Sequence, residues 1–474
     1  MNLASFLAAD KSMIIAPAGY GKTYTIAEAI AAYEGHKKVL VLTHTHAGIA
    51  SLKEKFEQRG LLPTKYHLDT ICSFALNLTK TFHINKAEIP SEGDTAEMFA
   101  FAIQHAAAIL RAKPIKRLLA VKYEHLIVDE YQDCSIAQHQ MILGISTFLK
   151  THILGDPLQG IFGFRNESVV CFEDDSFLPF HTNCQSLDVP WRWRNAGAAS
   201  LGNDLARIRE RLLARNDVNL RDYPSIVTVI GEASDYTIPN TDCKRQLYRE
   251  ISHNAVIIHP NSTSIEPRRA VVRSFPQLQL IEPIDGKDYY HWCQQFDLQS
   301  GQLLVNAIAE MMKKVCGKKS IEAWINERGL LRNKQRQEDK VIQRQLADIV
   351  TSLCAKKSYS LIACLIHAIS QLPKVSVYRK EFIRDIMAVL VDADRKRQSA
   401  TESLVSNRNI IRRKGRSIAN KSIGTTLLTK GLEFDNVVIL NAQDFHDPKH
   451  LYVALTRGSH RLVVITNSPV LHPY

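Results

Sequence analysis

A short segment near the N-terminus combines glycines, a lysine and a hydroxyl in a pattern that suits phosphate binding. Residues 16–23 read Ala-Pro-Ala-Gly-Tyr-Gly-Lys-Thr and stand between an apolar run and a helical pattern. Glycines let backbone N–H groups close around phosphate oxygens, and the N-terminus of the next helix adds a favourable dipole. Lys22 would reach the β- and γ-phosphates, while the Thr23 hydroxyl would bind Mg²⁺. The predicted nucleotide-binding residues of this segment are Ala18, Gly19, Tyr20, Gly21, Lys22, Thr23 and Tyr24.

A cluster of acids follows a second apolar run. Residues 125–133 read His-Leu-Ile-Val-Asp-Glu-Tyr-Gln-Asp. A carboxylate at the carboxyl end of a parallel strand faces the phosphate-binding loop of the same sheet. We expect Asp129 to hold Mg²⁺ through water and Glu130 to position or deprotonate the attacking water. An acidic strand end alone is typical of solvated surface, but together with the upstream loop it predicts nucleotide hydrolysis.

These groups need a scaffold of strands and helices, and the first 180 residues supply one. Apolar runs there alternate with helical patterns, which indicates a parallel, doubly wound sheet. A helical piece is expected between about 76 and 118, and a longer helical stretch from about 300 to 400 interrupts a second set of strands. The predicted strands are 13–16, 39–43, 126–128, 153–154, 226–230, 255–259, 437–440 and 462–466.

Charge is distributed unevenly along the 474 residues, a length that suits about three domains. The formal net charge of +12 indicates a polyanionic partner, most often nucleic acid. Between 301 and 421, Lys and Arg number 25 against 11 Asp and Glu, so this segment carries +14 and the rest of the chain −2. The basic character therefore belongs to the late helical stretch and the segment leaving it.

Several protein classes are excluded by what the sequence lacks. Its apolar runs are too short to cross a membrane, and residues 1–10 have no basic region of the kind that opens a secretory signal. The nine cysteines form no C-x-x-C pair, which argues against zinc and iron–sulfur sites. We expect a cytoplasmic protein with reduced thiols and no membrane partner.

Seven segments resemble motifs of UvrD/Rep-type superfamily 1 DNA helicases and follow one another in the same order along the chain. The acids at 129–133 and the segment 155–165, which begins Gly-Asp-Pro-Leu-Gln, are similar to motifs II and III. The other similar segments are 43–47 (motif Ia), 70–74 (the DNA-contact motif after it), 187–192 (IV), 425–434 (V) and 451–457 (VI). The resemblance implies a DNA motor that uses ATP and Mg²⁺ and moves 3′ to 5′ on single-stranded or 3′-tailed DNA.

The resemblance also implies an α/β fold with two RecA-like parallel-sheet domains and helical insertions. We expect the ATP-binding domain at 1–195, with its helical insertion at about 76–118. The second RecA-like domain would comprise 196–300 and 405–474, interrupted by a basic helical insertion at 301–404.

Four residues outside the phosphate loop receive roles from the resemblance. Gln159 would sense the γ-phosphate, and Arg192 and Arg457 would stabilise charge on the transferring phosphoryl group. Glu433 would contact the ribose. Outside these motifs, such arginines are typical of solvated surface. With Glu130, the expected catalytic residues are therefore Gln159, Arg192 and Arg457.

Three departures from the family concern the nucleotide base. Family members carry a glutamine-bearing adenine-recognition motif upstream of the phosphate loop, whereas the first glutamine here is Gln58. Trp191 stands where tyrosine is usual, and Tyr24 where arginine is common. Our hypothesis is that adenine stacks on Trp191, against Tyr24, with weak base selectivity.

The DNA contacts are expected at Thr45, Phe74, Phe164, Trp193, Arg412 and Arg413. The aromatic rings would stack on bases of a single strand, although each could equally be a core residue. The basic segment 407–416 could grip phosphates or be a solvated loop.

Reduced insertions make the chain similar to the small helicase-like subunit of Gabija-type anti-phage defence. That resemblance implies an OLD-family nuclease subunit as a partner. A second hypothesis belongs to another class, a DNA-sensing regulatory ATPase subunit of a nuclease complex that does not unwind DNA productively. A strand-displacement assay on a 3′ overhang separates the two hypotheses.

Overall fold

The computed structural model describes residues 2–90, 95–161, 168–232, 234–283, 286–414 and 418–474. The first sheet contains β1 (Lys11–Ile15), β2 (Lys38–Thr43), β3 (Tyr66–Thr70), β4 (Tyr123–Val128), β5 (Lys150–Gly155) and β6 (Cys184–Ser186). The strand order is β3-β2-β4-β5-β1-β6, and every pairing in it is parallel. Strands β2, β4 and β5 are almost wholly buried, as expected for strands of a doubly wound sheet.

Helices connect these strands. They are α1 (Leu3–Ala8), α2 (Lys22–Ala32), α3 (His46–Gln58), α4 (Ile71–Phe82), α5 (Thr95–Ile109), α6 (Lys113–Lys122), α7 (Ile136–Ile145), α8 (Leu178–His181), α9 (Trp191–Asn195) and α10 (Ala199–Leu213). The helical piece expected at about 76–118 is formed by α4, α5 and α6. Apolar residues of α4, α5 and α7 share one buried cluster with strands β2 and β4, so these helices cover the sheet.

The sheet topology brings the chemically interesting residues to one edge. The phosphate loop follows β1, the acids at 129–133 follow β4, and the Gly155-Asp156 pair stands at the end of β5. Strand β5 lies between β1 and β4 and runs parallel to both. Because parallel strands share one direction, their carboxyl ends meet at the same edge, which is where ligands bind in such sheets.

The later strands are β7 (Val218–Asn219), β8 (Val227–Ile230), β9 (Val256–Ile258), β10 (Gln279–Leu280), β11 (Ser422–Gly424), β12 (Phe434–Ile439), β13 (Gly458–Thr466) and β14 (Val470–Leu471). Six of them form a second sheet in the order β10-β11-β9-β12-β13-β8. Strand β14 pairs antiparallel with β7. Two parallel six-stranded sheets confirm the predicted α/β class.

The later helices are α11 (Asp242–Ser252), α12 (Glu266–Ser274), α13 (Lys287–Leu298), α14 (Gly301–Val315), α15 (Lys318–Glu322), α16 (Gln337–Ala355), α17 (Tyr359–Ser370), α18 (Lys380–Lys396), α19 (Ala400–Lys414), α20 (Thr426–Thr429) and α21 (Pro448–Leu455). Helices α13 to α19 share a buried apolar core. The spacing of Leu304, Ile308 and Met311 places them on one face of α14, and all three are buried in that core.

The contacts divide the chain into two compact units. Unit 1 comprises residues 1–233 and 429–474, and unit 2 comprises 234–428. The predicted domain ranges place 429–474 differently and stay a prediction. Across the described ranges, the model contains no helix with both the length and the apolar character that a membrane span requires.

Candidate active site

The phosphate loop depends on two glycines. Gly19 and Gly21 have φ values of 76° and 87°, in the left-handed region that favours glycine. A Cβ atom on Gly19 would lie 2.8 Å from the Trp193 ring and 2.9 Å from Cβ of Arg192, so there is no room for a side chain. Gly21 is the N-cap of α2, which begins at Lys22. The loop therefore leads directly to a helix N-terminus, where backbone N–H groups favour an anion.

The other loop residues are well packed. Ala18 and Tyr20 are 4% and 8% exposed, whereas Tyr24 on the first turn of α2 is 53% exposed. Burial raises the pKa of the Tyr20 phenol, which keeps it neutral. Thr23 is half-buried beside Lys22 at the start of the helix. The structure thus brings together all seven loop residues that the sequence predicts.

Lys22 contacts the acids that follow β4. Its Nζ lies 2.6 Å from Oε1 of Glu130 and 3.5 Å from Oδ1 of Asp129. Burial lowers the pKa of Lys22, but the two carboxylates raise it by more and keep the amine charged. Burial would raise the pKa of Glu130, and the charges of Lys22 and Lys430 overcome that effect and lower it. Glu130 is therefore ionised, while burial raises the pKa of neighbouring Asp129.

Glu130 has an unusual backbone. Its φ and ψ are 55° and 40°, a left-handed conformation that is costly for a residue with a side chain. The conformation is fixed because the backbone N–H of Glu130 donates to Oδ1 of Asp129, at 2.9 Å. The side-chain amide of Gln132 donates to Oε2 of Glu130, at 2.5 Å. Both carboxylate oxygens of Glu130 are thus directed by neighbours, as a group that positions water requires.

A second buried ion pair lies beside the first. Nζ of Lys430 is 2.5 and 2.6 Å from the two carboxylate oxygens of Asp133, and it also donates to the Gln159 carbonyl, at 2.6 Å. Burial raises the pKa of Asp133 and lowers that of Lys430, while each charge opposes the effect on its partner. Lys430 therefore joins the acidic segment to the segment that carries Gln159. The sequence motifs include Lys430 and Asp133, but no site role was predicted for either.

Gln159 is held through a buried aspartate. Its side-chain amide donates to Oδ2 of Asp156, at 3.1 Å, and Arg209 donates to Oδ1 of the same carboxylate, at 3.0 Å. Asp156 is fully buried, and its backbone N–H donates to the Gln132 side chain, at 3.0 Å. Arg209 was missed by the sequence reasoning, because the charged residues of α10 resemble an ordinary solvated helix face.

Arg192 joins the phosphate loop to residues near the C-terminus. Its backbone N–H donates to the Gly19 carbonyl, at 2.9 Å. Its guanidinium donates to the Thr456 carbonyl, at 2.5 Å, and forms an ion pair with Glu433. Glu433 remains largely exposed, whereas the Arg192 side chain is buried. In this structure Glu433 is a partner of Arg192, and its expected contact with a ribose stays a prediction.

Arg457 is 2% exposed and is held by hydrogen bonds. Nε donates to the Val453 carbonyl, at 2.9 Å, and Nη1 donates to the Leu432 carbonyl, at 3.1 Å. Burial, together with the nearby charge of Arg192, lowers the pKa of Arg457 to about 10. The two arginines predicted to stabilise phosphoryl charge therefore lie in one neighbourhood, and both use hydrogen bonds to carbonyls.

An exposed aromatic ring flanks the loop. Trp191 is 50% exposed, and a Cβ on Gly21 would lie 3.2 Å from its Cδ1. The guanidiniums of Arg194 and Arg59 lie 5.9 Å from the Trp191 ring and 5.3 Å from the Tyr24 ring, respectively. A flat, half-exposed ring beside a phosphate loop has the chemistry to stack on a nucleotide base.

Residues 2–165 match the family model of an AAA domain. The matched range contains the phosphate loop, the acids after β4 and Gln159. The comparison with curated proteins finds no significant match. Among solved structures, the chain is similar to the Pif1 helicase from Candida albicans, with 12% identity and a TM-score of 0.40, over 98% of this chain and 92% of that one.

The expected DNA-contact residues are placed less favourably than the nucleotide-binding ones. Thr45 is exposed at the start of α3, where its hydroxyl accepts from the backbone N–H of Gly48, at 3.0 Å. Phe74 is 4% exposed inside a core cluster, and Trp193 is 1% exposed. Neither ring presents a face to solvent in this structure. Phe164 and the side chains of Arg412 and Arg413 lie outside the described residues.

His44 is a further residue near the acids, and it is partly buried. Burial and the charges of Lys430 and Lys22 together lower its pKa to about 4, against an opposing effect of Glu130. Its Nε2 lies 3.4 Å from Sγ of Cys134. The motif at 43–47 contains His44, but the sequence analysis predicts a role only for Thr45. No local pattern marks His44 as a second candidate.

Proposed function

We propose that this chain is an ATP-dependent DNA helicase or translocase of the UvrD/Rep type. The observation that carries the proposal is the 2.6 Å contact between Nζ of Lys22 in the phosphate loop and Oε1 of Glu130. A charged lysine at the loop and an ionised carboxylate beside it are the two groups that ATP hydrolysis needs. The AAA-domain match of residues 2–165 supports the ATPase part of the proposal.

The first step is an exchange of partners at Lys22. In this structure Lys22 forms ion pairs with Glu130 and Asp129. When triphosphate enters the loop, Lys22 turns to the β- and γ-phosphates, and Glu130 loses its closest cation. The pKa of Glu130 then rises, which makes this carboxylate a better acceptor for the proton of the attacking water. Nucleotide binding thereby activates the base.

The donor set beside the loop fits Mg²⁺. Thr23 offers a hydroxyl and Asp129 a carboxylate, which are the hard oxygen ligands that this ion prefers. Bound there, Mg²⁺ would neutralise charge on the phosphates. Asp129 lies at the end of β4, and its backbone N–H donates to the Leu42 carbonyl, at 2.8 Å, so its position is fixed by the sheet.

Arg192 and Arg457 supply positive charge that balances the negative charge developing on the phosphates during hydrolysis. Each must replace hydrogen bonds to the carbonyls of Thr456, Val453 or Leu432 with bonds to phosphate oxygens. A charge-assisted bond to phosphate is stronger than a bond to a neutral carbonyl, so the exchange is favourable once the nucleotide is present. Gln159, bonded to Asp156, would report this change to the DNA-binding side.

The DNA-binding part of the proposal is supported by the charge of residues 301–421, which carry +14. By resemblance, movement is 3′ to 5′ on single-stranded or 3′-tailed DNA, and the domains are those predicted at 1–195, at 196–300 with 405–474, and at 301–404. An OLD-family nuclease subunit and a role in anti-phage defence belong to the same proposal.

One observation favours a second candidate function. Phe74 and Trp193, two expected stacking platforms, are buried at 4% and 1% exposure, so a translocating strand would find fewer exposed rings. A DNA-sensing regulatory ATPase subunit of a nuclease complex needs ATP hydrolysis but no such platforms.

The experiment that separates the two measures ATP hydrolysis and strand displacement in the same samples. A duplex with a 3′ tail is the substrate, and a duplex with a 5′ tail is its matched control. The motor proposal expects DNA-stimulated hydrolysis together with displacement of the 3′-tailed duplex. Hydrolysis without displacement of either duplex would contradict the motor proposal and favour the regulatory ATPase.

A further inference from the structure

A cationic cavity lies in unit 2, away from the basic segment 407–416 in sequence. Its volume is about 380 Å³, within the range of small-ligand sites. Among the described residues, six cationic side chains line it, together with one carboxylate, that of Asp288. The six are Arg269, Arg273, Lys313, Lys314, Lys318 and Arg379. They come from α12, from the end of α14, from the start of α15 and from the residue preceding α18.

The most buried of these cations, Arg379 and Lys313, are already neutralised by carboxylates. Arg379 donates to both carboxylate oxygens of Glu282 and to Asp288, each at 2.7 Å. Lys313 forms an ion pair of 2.7 Å with Glu310 on its own helix. These pairs fix the shape of the cavity. Arg379 also neutralises the Asp288 carboxylate, which lines the cavity.

Two exposed cations of the lining, Arg273 and Lys314, are held less tightly by carboxylates. Lys314 lies 5.2 Å from the Trp292 ring and, among the described residues, forms no ion pair with a carboxylate. Arg273 is held over the Tyr378 ring, at 5.3 Å, and its nearest carboxylate is 3.7 Å away on Glu266, which Arg269 also uses. Aromatic rings lie beside both side chains, and among the described residues neither charge has a carboxylate closer than 3.7 Å.

The carbonyls that end α14 do not oppose an anion. The Lys314 carbonyl accepts from Nη2 of Arg269, at 3.2 Å, and the Val315 carbonyl accepts from the backbone N–H of Tyr378, at 3.0 Å. Helix α18 begins at Lys380, directly after Tyr378 and Arg379, so the positive end of its dipole lies beside the cavity. The N-terminus of α18 therefore adds to the positive charge of the lining side chains.

We propose that this cavity binds a compact phosphate group, either the polyphosphate of a free nucleotide or the phosphorylated end of a nucleic-acid strand. An arginine and a lysine that converge on one enclosed space suit a phosphate with several negative oxygens, rather than the single charge of each link along a strand. The site would be separate from the phosphate loop of unit 1, and it goes beyond ATP hydrolysis.

The test uses the full chain carrying Lys22→Ala, so that the phosphate loop does not contribute binding. Isothermal titration calorimetry measures the affinity for inorganic tripolyphosphate and for a single-stranded oligonucleotide with a 5′-phosphate or a 5′-hydroxyl. The cavity variant adds Arg273→Gln and Lys314→Gln, both exposed positions whose change leaves the core intact. The matched control adds Lys340→Gln and Arg344→Gln on α16, which are also exposed and do not line the cavity.

The cavity variant is expected to bind its ligand at least tenfold more weakly, with the control unchanged. A loss for tripolyphosphate alone identifies a free nucleotide as the source of the phosphate. A loss that requires the 5′-phosphate identifies strand ends. Absence of measurable binding, equal affinities in all three proteins, or equal weakening in the cavity variant and the control would each overturn the proposal.

Discussion

The ammonium of Lys430 and the carboxylate of Asp133 form a buried ion pair, with Nζ 2.5 and 2.6 Å from the two carboxylate oxygens. The partners are separated by 297 positions in the chain, and their side chains are 6% and 2% exposed. The pair therefore couples the acidic segment after β4 to the segment that precedes β12. Because both side chains are buried, water could not hydrate either charge if its partner were removed.

Removal of Lys430 should be costly because it leaves the buried carboxyl group of Asp133 without its partner. We expect Lys430→Met to lower the free energy of unfolding by about 3 kcal/mol. Adding Asp133→Asn should restore at least half of the loss, since the remaining group is then neutral. Urea unfolding followed by tryptophan fluorescence measures both changes. As a control, Lys53→Met removes an exposed lysine 3.9 Å from Glu57 and should have almost no effect. Equal effects at Lys430 and Lys53 would contradict this account.

Two buried histidines that contact each other predict that the stability of the fold is sensitive to acid. Nδ1 of His125 lies 2.9 Å from Nε2 of His152, and Nδ1 of His152 lies 2.8 Å from the Ser12 hydroxyl. Burial lowers the pKa of His125 to about 4 and that of His152 to about 3. Below the ordinary histidine pKa of about 6.5 the unfolded chain takes up protons that the folded chain refuses. Stability is therefore complete above pH 6.5 and falls as the pH drops towards 4.

The slope of stability against pH tests this prediction. The free energy of unfolding, measured from pH 7 to pH 4.5, should fall more steeply for the unmodified protein than for His152→Gln. His36→Gln changes an exposed histidine and should keep the original slope. Parallel curves for all three proteins would show that the buried pair does not govern the acid response.

Trp191 should control nucleotide affinity through its exposed ring. Loss of a stacking contact is worth a factor of about ten in binding, so Trp191→Ala should raise the KM for ATP about tenfold and leave kcat nearly unchanged. Trp191→Tyr keeps a flat ring and should remain close to the original KM. Because stacking reads no base edge, GTP and ATP should be hydrolysed comparably. A strict preference for ATP in steady-state hydrolysis would contradict the stacking hypothesis.

The basic segment 407–416 should contribute to DNA binding through phosphate contacts. Replacing Arg412, Arg413 and Arg416 with Gln should weaken binding to single-stranded DNA and flatten its dependence on salt. Fluorescence anisotropy at several salt concentrations gives both quantities. The matched control replaces Arg336, Lys340 and Arg344 with Gln, removing three cations elsewhere in the basic region. Unchanged DNA binding in the first variant would assign the segment to a protein partner.

The fold was largely readable from the sequence where strands are buried. Strands β1, β2, β4 and β5 were predicted because a strand covered on both faces is a continuous apolar run. Strand β3 (Tyr66–Thr70) and strand β6 (Cys184–Ser186) were missed. Both lie at an edge of the sheet and contain polar residues, so no apolar run marks them.

From local sequence patterns, the site could be predicted only where its residues are close in sequence. The phosphate loop and the acids at 129–133 are local patterns with a known chemistry. The pairing of Arg209 with Asp156 spans 53 positions and that of Lys430 with Asp133 spans 297, and no local signal predicts either. The burial of Trp193 likewise depends on a distant contact, since its Nε1 donates to the Gly458 carbonyl, at 2.8 Å.

Lys22 and Glu130 form the centre of the ATPase that we propose. Steady-state phosphate release from MgATP, with single-stranded DNA present, tests it most directly in the unmodified protein and in Lys22→Ala. We expect hydrolysis in the unmodified protein and a fall of at least about 100-fold when the lysine is removed, because the phosphates lose their cation. Turnover by Lys22→Ala within twofold of the unmodified protein would contradict it.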